Sequence, residues 1–311
     1  MTELQIGYTT KMSGHFTINK YRRDGNGKAV LVSVHDFDNL ITNNGLDRWC
    51  AIRGRVTAVS SCQVGTGSTA PSVTDTALAS FLAIQPTMFQ SAKDRVADYW
   101  RLRYVWQFAQ GAAAGTLTEV GIGTTGSAGS LFSRALILDG SGNPTTLTIL
   151  PTEFLTITYE LRLYVPLADL APVVTSIGGV STTVTGRAAS SNDADLWAQG
   201  AMIHYTDSGN NYLGVQVYSG PIGPDNTSSN QGSGSSPDER IFSTYVPGTF
   251  YTDITGIFGI NRGNFGAGGV QSLSSRTQSG TFQFGFSPAI AKDNTKQLTL
   301  VTRHSIARYT P

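Results

Sequence analysis

Charge is what this chain has least of. Of 311 residues, 22 are Lys or Arg and 21 are Asp or Glu, so that 14% are charged, where soluble domains usually carry about 25%. The formal net charge is +1, which gives no electrostatic footprint for nucleic acid or an anionic membrane. Cysteine is nearly absent: Cys50 and Cys62 cannot build a disulfide framework, and their spacing is not that of zinc ligands. The four histidines, His15, His35, His204 and His304, are scattered. No apolar run approaches the ~20 residues of a membrane span. The opening MTELQIGYTTKMSG has no apolar signal-peptide core, so the expectation is a protein made in a reducing cytoplasm. Gly, Ser and Thr stand where charge is missing. An aromatic content of 10% and a near-zero net charge argue against a disordered chain, and the length allows one large or two ordinary domains.

Period-two alternation is the dominant pattern, and it marks half-buried strands. In 98–108, Trp100, Leu102, Tyr104, Trp106 and Phe108 share one face. In 153–165, Leu155, Ile157, Tyr159, Leu161, Leu163 and Val165 do the same. Shorter strands are expected at 28–36, 56–64, 116–123, 131–138 and 145–150, joined by turns rich in Gly, Asn and Asp that tolerate positive φ. Two short helices are expected. One is at 44–50, capped by Asn43 or Asn44 with Leu46, Trp49 and Cys50 on one face; the other is at 74–82, capped by Ser72 or Thr74.

The prolines of 165–172 (VPLADLAP) suggest a boundary. The expected organisation is mostly β: two antiparallel β-sandwich-like domains, with both helices in the first and long Gly/Ser-rich loops in the second. The first covers 1–166, a linker 167–172 and the second 173–311. In the second, 196–206 and 211–219 read as a hairpin, and 280–287 and 297–309 as strands. Residues 220–238 and 261–275 read as long exposed loops that a neighbouring subunit could order.

The chemical motifs all have plainer alternatives. Gly121-Ile122-Gly123-Thr124-Thr125-Gly126 fits the dinucleotide fingerprint letter for letter, but a strand follows it where a helix is required, which leaves a hairpin loop. His35, Asp36 and Asp38 offer either an acid–base pair or a strand end entering a polar turn. Asp193 and Asp195 lack the rest of a calcium loop. Glu119, Glu153 and Glu160 are best explained by cross-strand pairing with Arg101, Arg103, Arg134 or Arg162. No nucleophile with a base is evident, so no enzymatic activity, cofactor or metal is expected. Trp197, Tyr205, Tyr212 and Tyr218 are the candidate surface-binding residues: either a sugar-stacking face or packing.

Five segments in order carry a resemblance: 39–47 (NLITNNGLD), 62–71 (CQVGTGSTAP), 75–78 (DTAL), 117–123 (LTEVGIG) and 131–135 (LFSRA). Together they resemble the N-terminal region of tail structural proteins of tailed bacteriophages, over about residues 30–166. The resemblance implies a non-enzymatic virion component of the tail, in the baseplate, tail tip or fibre-attachment region. It would be made in the host cytoplasm and would assemble with its own copies, a trimer favoured, and with other tail proteins. It carries over no functional residues. The alternative is a receptor-binding module that recognises a host-surface glycan or pilus through the C-terminal domain. A depolymerase would call for a β-helical repeat, which the sequence lacks.

Overall fold

The strongest alternation in the sequence lies at the centre of the fold. The computed structural model describes residues 3–51, 58–193, 214–277 and 280–310. The first half runs β1 (Glu3–Arg23), β2 (Ala29–Ile41), α1 (Asn43–Ala51), β3 (Ser61–Gly65), β4 (Phe81–Gln85), β5 (Gln90–Val96), β6 (Tyr99–Phe108), β7 (Gly115–Leu117), β8 (Glu119–Gly123), β9 (Leu131–Leu136), β10 (Leu147–Ile149) and β11 (Glu153–Tyr164). The second runs β12 (Leu170–Ile177), β13 (Val180–Ala189), β14 (Gly214–Tyr218), β15 (Gly234–Ser235), β16 (Glu239–Phe242), β17 (Tyr251–Phe258), β18 (Val270–Thr277), β19 (Gly280–Ile290) and β20 (Leu298–Arg308). The protein is mostly β, and its named strand pairs are antiparallel except β1 with β20.

β6 and β11 pair directly, with Leu102 opposite Leu161, Tyr104 opposite Tyr159 and Trp106 opposite Ile157. Their inward side chains are buried, from Trp100 to Phe108 and from Leu155 to Leu163. Each contributes roughly 1.5–3 kcal/mol on burial. β1 organises the larger sheet. One stretch, Glu3–Met12, pairs with β20; the next, Gly14–Arg23, pairs with β2; and β11 covers Lys11–Arg22. At the junction Arg308 Nε donates to the Ile41 carbonyl at 2.5 Å, and Tyr309 N to that of Met12 at 2.7 Å.

Hydrogen bonding in the larger sheet therefore crosses residues 167–172. Its twelve strands include β16, β17 and β20 from the C-terminal half, while the six-stranded sheet β12-β13-β19-β18-β14-β15 lies wholly beyond residue 169. The two sheets meet face to face. Tyr8 of β1 stacks on Phe282 of β19 at 3.7 Å between centroids, and Ser275 of β18 hydrogen-bonds Thr302 of β20 at 2.7 Å. β1 thus supplies side chains to the packing of the second sheet.

Three local expectations are corrected. The segment expected as a second helix, 74–82, is a turn followed by β4. Its backbone is taken up by neighbours: Val73 O accepts Asn43 N at 2.7 Å, Thr76 O accepts Leu131 N at 3.0 Å, and Ser80 O accepts Thr66 N at 2.8 Å. Part of the loop expected at 261–275 is strand, since β18 begins at Val270. The 220–238 loop is ordered by this chain itself. Buried Gln283 accepts Gly223 N at 2.7 Å and donates to the carbonyls of Asp225 and Ser228 at 3.3 and 3.2 Å. β14 pairs with β18 and β15; its expected hairpin partner, 196–206, lies outside the described residues.

Candidate functional site

Of the four aromatic residues expected to form a binding face, Trp197, Tyr205 and Tyr212 lie outside the described residues. Tyr218 ends β14, half-buried, with its hydroxyl donating to Gln216 Oε1 at 2.8 Å. Asp195 also falls outside, and Asp193 N closes a turn onto the Ser190 carbonyl at 2.9 Å.

A buried polar cluster is built by four of the five segments that carry the resemblance, together with Ala79 and Ser80. Glu119, at the start of β8, is completely buried. Its Oε1 accepts Gly67 N at 2.9 Å and Ser80 N at 2.8 Å, and its Oε2 accepts Ala79 N at 3.1 Å. Arg134 on β9, itself 2% exposed, donates Nε to Glu119 Oε2 at 2.8 Å, Nη1 to Asp75 Oδ2 at 2.6 Å and Nη2 to the Thr69 carbonyl at 2.8 Å. A buried ion pair is tolerable when its remaining hydrogen-bonding capacity is met, and here it is. Gly67 must be glycine, because a Cβ there would run into the Glu119 carboxylate and Ala79.

The 39–47 segment adjoins this cluster at Leu131. Thr42 caps α1, its Oγ1 accepting Gly45 N at 3.0 Å; the cap is therefore not Asn43 or Asn44. Thr42 Oγ1 also donates to the Leu131 carbonyl at 2.7 Å, and Asn44 Nδ2 to the same carbonyl at 2.9 Å. From the middle of the helix, Asp47 Oδ1 accepts Gly248 N at 2.7 Å and the Tyr245 hydroxyl at 2.5 Å, which ties α1 to the C-terminal half. Burial raises the Tyr245 hydroxyl pKa, and the neighbouring Asp47 carboxylate adds to this.

No family model, curated protein or solved structure matches the chain.

The His35–Asp36–Asp38 group lies within β2 and not at its end. His35 Nδ1 is 3.0 Å from the Leu138 carbonyl. The two aspartates instead hold His15 of β1, which the sequence reading did not connect to them. Its Nε2 is 2.7 Å from Asp36 Oδ1 and its Nδ1 is 2.7 Å from Asp38 Oδ1. Both ring nitrogens thus face carboxylates of the neighbouring strand, which makes this histidine a cross-strand strut between β1 and β2. Thr17 Oγ1 adds a bond to Asp36 at 2.9 Å. The row continues across the sheet with Glu160 between Arg101 (3.4 Å) and Arg162 (3.0 Å), and Asp94 on Arg101 at 2.6 Å. Glu160 and Glu119 thus find arginine partners expected for them, whereas Glu153 takes Lys20 at 3.5 Å and caps Leu150 N at 2.9 Å. Among the described residues, no group of His, Cys, Asp and Glu side chains is arranged to hold a metal ion. Both cysteines are buried free thiols, and burial raises that of Cys50 to about 12. The Gly121–Gly126 segment is strand β8 and the turn into β9, as the hairpin reading requires.

Proposed function

We propose that this chain is a non-enzymatic structural protein of a phage tail, from the baseplate, tail tip or fibre-attachment region, which assembles with its own copies and with other tail proteins. The observation that carries the reading is how charge is disposed. Between Arg55 and Lys93 the only charged residue is Asp75, and between Arg103 and Arg134 the only one is Glu119. Both are bound by Arg134. Two long stretches of chain therefore bring no free charge to the surface, while Phe81, Leu82 and Phe89 on the first of them are exposed, Phe89 at 67%. A surface of that kind suits the interior of an assembly, where desolvating unpaired charge is costly.

Four motif segments meeting around Glu119 and Arg134, with the fifth adjoining them, support the resemblance as a unit and not as scattered matches. Electron microscopy of particles labelled with an antibody against residues 220–238 tests the reading. Label confined to the tail is expected; label on no particle, with the protein free in the lysate, contradicts it.

A further inference from the structure

We infer that the β1–β2 hairpin is a contact surface for a second copy of this chain, joined by antiparallel pairing of β2 with β2. The proposal rests on the self-assembly reading above and names the surface that would serve it. Every residue from Arg22 to Val32 is exposed, so both arms and both faces of this ribbon stand clear of the core. A two-stranded ribbon is marginal on its own. Its returning arm is nonetheless apolar: Val30, Leu31, Val32 and Val34 are all exposed, Leu31 and Val34 at 51%.

The edge of that arm is open. β2 pairs with β1 on one side and with β9 on the other, but the β9 pairing covers only Leu40 and Ile41. Among the described residues, no strand pairs with 29–34 on the side of β2 away from β1. Natural edge strands are normally short, charged or covered; this stretch carries no charge and, among the described residues, no strand covers its edge. Charge lies instead at its two ends and is opposite in sign. Arg22, Arg23 and Lys28 flank the turn, where the one acid, Asp24, is engaged by Asn26 N and Lys28 N at 2.9 Å each. Asp36 and Asp38 lie at the far end; each gives one oxygen to His15, and Arg162 stands 3.7 Å from Asp38, but both side chains remain more than half exposed.

Antiparallel addition sets the basic turn of each copy against the acidic end of the other, twice about a two-fold axis. Parallel addition would oppose like charges. A second copy thus supplies the apolar side chains, the unpaired backbone row and the complementary charges in one strand. The contact pairs single copies, or pairs rings of copies.

Sedimentation equilibrium on the full chain tests it with Leu31→Lys, Lys28→Glu and the control Val174→Lys, which charges an equally apolar residue, 68% exposed, on the edge strand β12. Melting temperatures close to wild type establish that each variant is folded. The wild type and Val174→Lys are expected at twice the mass of Leu31→Lys, with Lys28→Glu dissociating at a concentration at least tenfold higher than the wild type. Equal masses for the wild type and both hairpin variants overturn the contact, as does a loss of mass in Val174→Lys alone. The tail reading is tested separately by the presence of the protein in particles, which does not depend on these masses.

Discussion

Arg134 holds two carboxylates and a carbonyl at once, and Glu119 holds three backbone N–H groups of the 67–80 loop. Glu119→Ala therefore leaves a buried guanidinium short of its main counter-charge and three amides without an acceptor. A loss of about 3–5 kcal/mol in unfolding free energy is expected, read from urea denaturation, with Arg134→Ala similar in size. The pairing itself was readable, since Glu and Arg alternate with apolar residues on neighbouring strands. The loop it closes was not, because Gly67, Ala79 and Ser80 enter through backbone amides that leave no periodic trace, and Asp75 through a single side chain in a turn. His304 gives a second residue-scale expectation. Burial lowers its pKa to about 3, below the ~6.5 of an unfolded chain, so the folded ring is neutral. Its contribution is complete above pH 6.5 and drains away as pH falls from there toward 3. About 2 kcal/mol of stability should be lost between pH 7 and pH 5 from this group, and His304→Gln, placed to keep the contact with Thr10 Oγ1 (3.3 Å), should flatten that part of the profile.

Among the elements, β6 and β11 were legible because every inward position is large and apolar. β1, the longest strand, was not read as a strand at all. Its inward series passes through Thr10, which is buried against His304, and Gly14, which is also buried; two small or polar residues in the run erase the alternation. β13 was missed for the same reason, since Thr182, Gly186 and Ala188 occupy its buried positions. The second expected helix failed because its capping residues serve a loop: Ser72 N bonds Asp75 Oδ2 at 2.9 Å, and Asp75 then turns to Arg134. The parallel pairing of β1 with β20 links chain ends that no local pattern connects. A fragment of residues 1–166 lacks β20 and the Tyr245–Asp47 tie, and should therefore show no cooperative thermal transition, whereas the full chain should. A fragment that melts cooperatively near the full-chain temperature would show that the first half folds without these contacts.

For the molecule as a whole, low charge was visible from composition, but its distribution needed the fold. Over 56–92 and 104–133 the charges pair inwardly with one arginine, while the row from Asp38 through His15, Glu160, Arg162 and Arg101 to Asp94 concentrates charge across one sheet face. One sheet face thus carries a row of paired charges, while two long stretches of chain bring only the two carboxylates held by Arg134, the disposition from which a covered side is proposed. Quantitative mass spectrometry of tailed particles purified from the host that makes this protein tests that account most directly. The protein should be present in several copies per particle, retained through high-salt washing and recovered with isolated tails. Its absence from particles, with all of it in the soluble lysate, would contradict a structural role in the tail.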